Sequence, residues 1–281
     1  MKLMRCQHGP AVLQDGEAVL FSEINAKRGV SLPDSLLALI QGGSMEALRD
    51  LRGIAGLPLA EVTPLLPYPV PPKIWCIGLN YKSHAEDINA VQPEEPGSFM
   101  KPASCLFEPG GDIVLPPADV SDDVDAEGEL GVVIGRRCRF VPREHVNEVI
   151  FGYTTTLDLT ALDVLARNTR YLTRAKSIDT FFSFGPVIVT PDEVPDVEGL
   201  EVVTEHNNGV CSRDFVRNMR HKPLDLVRFH TDFFTLEPGD LISTGCPKGA
   251  RIKAGDTVRS RIEGVGLLTA HVTQGNRVPQ Y

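Results

Sequence analysis

The 281-residue chain is 42% apolar and 23% charged, ordinary proportions for a packed globular protein and wrong for a chiefly disordered one. A net charge of -9 and a pI near 5.3 give a field that repels phosphate backbones and anionic lipid, so neither nucleic acid nor membrane is an expected partner. No window reaches about 18 uncharged apolar residues and the opening MKLMRCQHGPAVLQDGE lacks the apolar run of a signal peptide, which predicts a soluble cytoplasmic protein.

At about 150 residues per domain the length allows two units. We expect a small N-terminal domain over 1–70, with short alternating apolar runs and two helices, one near Asp34 to Ile40 and one opening at Ser44, whose hydroxyl suits a cap. It ends in PLLPYPVPP, Pro64 to Pro72, whose five prolines cannot pair in a central strand and predict a stiff extended linker. The larger unit spans 71–281. Ile74 to Gly78 reads as a buried strand running into LNYKSHAED, a loop or short helix. Glu129 to Gly135 and Phe151 to Leu157 read as strands, with a helix from Pro142 between them and another in LTALDVLAR. Asp158 either caps that helix or projects from the strand end. GPVIVT, LEVVTEH and TVRSRI predict further strands, the turn at Asn207 to Gly209 a hairpin, PLDLVRFHTDFF a helix, and Glu237 to Asp240 a turn. With 25 glycines and 22 prolines breaking the chain into short elements, the fold class is α+β. Six cysteines without a C-x-x-C pair argue against disulfides and structural zinc, and Cys211 and Cys246 read as inert thiols. CPKGARIKAG near Cys246 lacks the G-K-[ST] of a phosphate-binding loop.

The segment Ala118 to Glu129 holds six carboxylates in twelve residues and no base. Most such clusters are solvated faces. Here Glu127 and Glu129 are two apart, which puts them on one face of an extended chain. Gly128 allows close backbone approach, and an apolar strand follows at once. Two carboxylates at a core edge repel, and a divalent cation is the simplest compensation. Asp158 offers a third oxygen. An all-oxygen set selects Mg²⁺ first, then Mn²⁺ or Ca²⁺.

DAEGELGVVIG, FGYTTTLDLTALD, AKSIDTFFSFGP, LEPGDLISTGCPKG and IEGVGLL, in that order over roughly Lys73 to Val272, resemble the fumarylacetoacetate hydrolase family, in particular its small bacterial-type members with an N-terminal domain. The resemblance implies a mixed β-sandwich roll with outer helices and a homodimer. It implies that Glu127, Glu129 and Asp158 hold Mg²⁺ or Mn²⁺ and that Lys176 faces the substrate, where an ammonium can stabilise a developing enolate. GLNYKSHAED is similar to the family's lid, in which a histidine and a glutamate three residues later activate water. His84 matches, its partner position is Asp87, and Glu86 lies adjacent. Other positions depart: Leu157, Leu162 and Leu165 stand where the family carries asparagine, arginine and glutamine, and either Arg213 or Arg217 is a candidate replacement anchor. Lys101 in the FMKP block reads as structural.

The expected function is therefore metal-dependent hydrolysis of a carbon-carbon bond in an acylpyruvate-like 2,4-dioxo acid. The acid chelates the cation through its carboxylate and 2-oxo oxygens, and His84, oriented by Asp87 or Glu86, deprotonates water at the distal carbonyl. Without that water attack the same enolate chemistry gives decarboxylation or keto-enol isomerisation of a 2-oxo dicarboxylic acid. A catalytically inactive relative is the remaining alternative.

Overall fold

The computed structural model describes residues 1–87 and 90–276, with Asp87 described through its backbone alone. Its spine is a long antiparallel pair, Val124–Ile134 against Ile150–Ala161. Both strands outrun their predicted lengths. The acidic segment does not end in solvent but continues as strand, and all 11 residues of Val124–Ile134 are buried.

Alternation sorts these strands into two faces. Val124, Ala126, Leu130, Val132 and Ile134 join Tyr153, Leu157, Leu159 and Ala161 in two apolar clusters. Asp125, Glu127 and Glu129 face the other way, opposite Thr160, Asp158 and Thr156 in the ladder. Leu157 therefore packs in the core, and its neighbour Asp158 carries the site face.

Leu241–Ser243 extends this sheet by pairing with Gly131, Val132 and Val133, Ile74–Gly78 runs parallel to it, and Gly97–Lys101 closes the edge. On the far side Val187–Val189 pairs with Lys2–Cys6, so the sheet passes without a break into the first residues of the chain. A second sheet of five strands contains the predicted hairpin, Glu201–His206 with Gly209–Phe215, next to Thr257–Ile262. This α+β architecture, mostly sheet, is the predicted fold class.

The two sheets meet at Gly128. A Cβ there would lie 2.7 Å from Thr204 Oγ1 and 3.1 Å from Ser260 Oγ, and the Gly128 amide donates to Thr204 Oγ1 at 3.1 Å. Gly128→Ala is expected to destabilise the protein by about 1–3 kcal/mol, the usual cost of overpacking a tight core. A denaturant midpoint unchanged from wild type at equal m-value would contradict this contact.

Several predicted elements differ in detail. The segment after Pro142 forms a 3-10 stretch, Arg143–Val149, and the helix expected from Ser44 shrinks to a 3-10 turn, Glu46–Leu48, whose Glu46 amide donates to Ser44 Oγ at 3.3 Å. The helix near Asp34 runs Leu36–Gly42, capped by Ser35. The proline-rich segment is extended, but Pro64–Leu65 pairs with Arg5 and Cys6, and buried Tyr68 donates its hydroxyl to the Gly239 carbonyl at 3.0 Å. Among the described residues no helix is long and apolar enough to cross a membrane.

Candidate metal centre and its cavity

Ladder register brings the three predicted carboxylates together: Asp158 sits opposite Glu127, and Glu129 lies two residues on along the same face. One oxygen from each of Glu127, Glu129 and Asp158 lies within 4.8 Å of the others. All three are buried, with Glu129 and Asp158 each 1% exposed.

Lys176, at the end of the short helix Leu172–Lys176, donates to Glu127 Oε2 and to Asp158 Oδ2, both at 2.8 Å, and its ammonium lies 4.9 Å from the Phe99 ring centroid. Lys101 Nζ donates to the Leu159 and Phe181 carbonyls at 3.0 and 2.6 Å and forms an ion pair with Asp158 Oδ1. That oxygen accepts no aligned hydrogen bond despite its closeness to the ammonium. Lys101 is the buried scaffold that its block predicts, yet it also neutralises a carboxylate of the cluster. Glu129 Oε2 accepts from Ser243 Oγ and, at 2.8 Å, from the Gly245 amide. Gly245 has φ +94°, and a Cβ there would lie 2.9 Å from Asn80 Cβ and 3.0 Å from the Ile77 carbonyl oxygen, so glycine is required where this turn passes the segment Ile77 to Asn80. Asn80 ties the two segments by donating to the Thr244 carbonyl at 2.8 Å.

The charge balance fits a divalent cation. Glu127, Glu129 and Asp158 outnumber the two lysines by one charge, and a doubly charged ion would leave the centre cationic by one. The donor set is all oxygen, which suits Mg²⁺ or Mn²⁺. Burial, followed by the Asp158 and Glu127 charges, pushes Glu129 up to about 8, so a buried carboxyl there is costly to ionise without a compensating cation.

Asp125 is absent from the predicted site, although its two-residue spacing from Glu127 is the signal that finds it. It is 7% exposed, burial and the Glu127 charge push it up to about 7, and Arg251 Nε lies 3.4 Å from Oδ1. A carboxyl with a raised folded pKa holds its proton longer when folded than when unfolded, so the stability it contributes is present at low pH and lost as pH rises through the folded pKa. Above about pH 7 His221 and His230, whose pKa values burial lowers, are neutral in both states and drop out. The cation-free protein is therefore expected to melt at a lower temperature at about pH 8.5 than at about pH 7, with added Mg²⁺ restoring more at the higher pH. Thermal melts that rise with pH in the absence of cation would contradict the burial of these groups.

Glu127 and Glu129 open onto a cavity of ≈ 630 Å³ that His84, Lys176, Leu162, Leu165 and Cys246 also line. Leu162 and Leu165 thus reach the cavity, as the departures from the family pattern anticipate. Arg251 lines it too, while the candidate anchors Arg213 and Arg217 are exposed on the second sheet and its following turn. His84 lies on the helix Lys82–Asp87, half-buried, with a buried Nδ1 that has no hydrogen-bond partner among the described residues. Glu86 is exposed and pairs with Lys82 at 3.3 Å, so it is not brought to the imidazole. The side chain of Asp87 lies outside the described residues.

Residues 73–273 match the fumarylacetoacetate (FAA) hydrolase C-terminal family. The chain is 34% identical to oxaloacetate tautomerase FAHD2A, mitochondrial, of Bos taurus over 251 residues, covering 85% of this chain and 79% of that protein. Its structure is similar to that of maleylpyruvate hydrolase from Sphingobium sp. SYK-6 in complex with manganese(II) and pyruvate, with a TM-score of 0.81 and 30% identity over 98% of this chain and 100% of that one. It is also similar to 5-carboxymethyl-2-hydroxymuconate delta-isomerase from Mycobacterium smegmatis, with a TM-score of 0.76 and 33% identity over 99% and 100% of the two chains.

Proposed function

This chain belongs to the fumarylacetoacetate hydrolase family, and we propose that it is a metal-dependent hydrolase that cleaves a carbon-carbon bond of an acylpyruvate-like 2,4-dioxo acid. The observation that carries this reading is the convergence of Glu127, Glu129 and Asp158, the first two of which line a cavity together with Lys176 and His84. These three carboxylates would hold Mg²⁺ or Mn²⁺, with Ca²⁺ a weaker fit, and the cation supplies Lewis-acid polarisation of the bound 2-oxo acid. The Mn(II) and pyruvate named in the maleylpyruvate hydrolase structure are the chemistry that such a centre would take.

The rest falls to the chain's own side chains. Leu162 and Leu165 pack the acyl tail and exclude water from it. His84 takes a proton from water as its oxygen adds to the distal carbonyl carbon, with Asp87 as the proposed orienting carboxylate. The bond between C3 and C4 then breaks, its electron pair passing to C3 as the enolate of pyruvate. The Lys176 ammonium, already beside Phe99 and two carboxylates, stabilises charge on the enolate oxygen. Return of the proton from His84 to C3 gives pyruvate and a carboxylic acid.

A second reading, isomerisation or decarboxylation of a 2-oxo dicarboxylic acid, needs the same enolate and no attacking water. It is favoured by the tautomerase and isomerase relatives. We further propose a soluble, homodimeric enzyme whose residues 71–281 carry the chemistry behind a small N-terminal domain over 1–70. Purified protein with Mg²⁺ or Mn²⁺ is expected to consume acylpyruvates with loss of enol absorbance, and a chelator to abolish this. Turnover of oxaloacetate alone would select the second reading; inactivity on every substrate with cation bound would leave a non-catalytic family member.

A further inference from the structure

Beside the all-oxygen cluster lies a second, chemically different group of donors. An imidazole nitrogen of His84, a carboxylate oxygen of Glu127 and the sulfur of Cys246 lie within 4.8 Å of one another. We propose that this trio, which shares Glu127 with the all-oxygen cluster, is a second cation site for a borderline or soft divalent ion, Zn²⁺ in the first instance, and that filling it silences the hydrolytic step.

Donor chemistry distinguishes the two sites. Thiolate and imidazole select zinc-like ions, whereas carboxylates alone suit magnesium. Three protein donors leave the fourth tetrahedral position open. The His84 Nδ1 is buried and without a hydrogen-bond partner among the described residues, and Cys246 is a free thiol 3% exposed. Glu127 gives Oε2 to Lys176, which leaves Oε1 for another partner. The donors line the same cavity, so an ion reaches them by the substrate's route. Zinc bonds of about 2.0–2.3 Å hold tetrahedral donors roughly 3.3–3.8 Å apart, inside the 4.8 Å limit that these three atoms already meet. Binding exchanges the thiol proton for the metal and releases that proton to solvent, with no change of oxidation state. The sequence hides the site because its members come from a lid helix, a central strand and the turn after Gly245, with no C-x-x-C or H-x-x-H spacing to betray it.

The silencing rests on the proposed role of His84 as base, whereas the binding does not. The test uses the full chain in excess Mg²⁺, titrated with Cd²⁺ as a spectroscopic stand-in for Zn²⁺. One equivalent of thiolate-to-cadmium charge-transfer absorption is expected, lost in both Cys246→Ser and Cys246→Ala, retained in Cys211→Ser, and reduced in His84→Ala. Absence of the absorption in wild type, or equal absorption in the folded Cys246 variants, overturns the site. In parallel, equimolar Zn²⁺ is expected to lower wild-type turnover at least tenfold and to affect Cys246→Ser much less. If the absorption appears and turnover is untouched, the site stands and the role of His84 in hydrolysis falls. If turnover needs Mg²⁺ but no absorption appears, the proposed function stands and the second site falls.

Discussion

Glu129→Ala is expected to strip most bound divalent cation while leaving the fold intact. Losing a group that merely orients a metal ligand weakens binding by about 10–100-fold, so losing a ligand should exceed the upper end of that range. The fold should survive because the change also relieves repulsion: Glu129 is held up in pKa by burial and by the Asp158 and Glu127 charges, and the substitution removes that strained carboxyl. The cost is one orphaned donor, the Gly245 amide, of about 1–3 kcal/mol, since Ser243 Oγ keeps Thr156 Oγ1 as a partner. Equilibrium dialysis against Mn²⁺ with elemental analysis reads the occupancy, and full occupancy in the variant would refute Glu129 as a ligand.

His84→Ala is the second large effect, and it separates the two proposed reactions. A positioned general base contributes about 10²–10⁴-fold, so hydrolysis of an acylpyruvate should fall by that amount. Tautomerisation or decarboxylation of oxaloacetate should change far less, because neither needs an activated water. Cation binding should persist, since the donor atoms of Glu127, Glu129 and Asp158 are a complete set without the imidazole. Equal loss of both activities, measured by stopped enol absorbance and by pyruvate formation, would show that His84 acts in the shared enolate step.

The α+β class is legible in the many short strand-like runs between Gly and Pro breaks, and the first half of the candidate metal centre in a two-residue period. Glu127 and Glu129 share a face by spacing alone. Their partner is harder. Asp158 reads equally well as a helix cap, since LTALDVLAR has helical spacing, and the predicted strand ends at Leu157. In the fold the strand runs to Ala161, and alternation of Thr154, Thr156, Asp158 and Thr160 against Leu157, Leu159 and Ala161 is the signal that extends it. The same alternation places Leu157 in the core and adds Asp125 to the site face.

What no local pattern holds is the contribution of distant turns. Lys101 reaches Asp158 from a sheet edge, Ser243 and Gly245 reach Glu129 from a strand end more than a hundred residues on, and Cys246 comes near Glu127 directly after Gly245, which takes a positive φ. These contacts depend on sheet order, in which Leu241–Ser243 is inserted between Ile74–Gly78 and the central strand, and sheet order is a property of the whole chain.

One divalent ion is expected to sit among the three carboxylates. Crystals grown with Mn²⁺ and pyruvate, measured at the manganese absorption edge, test it most directly. One anomalous peak is expected within bonding distance of Glu127, Glu129 and Asp158, with the pyruvate carboxylate and 2-oxo oxygens completing its shell. A map with no peak there, and with the Lys176 ammonium still bridging Glu127 and Asp158 in the cation's place, would contradict the account.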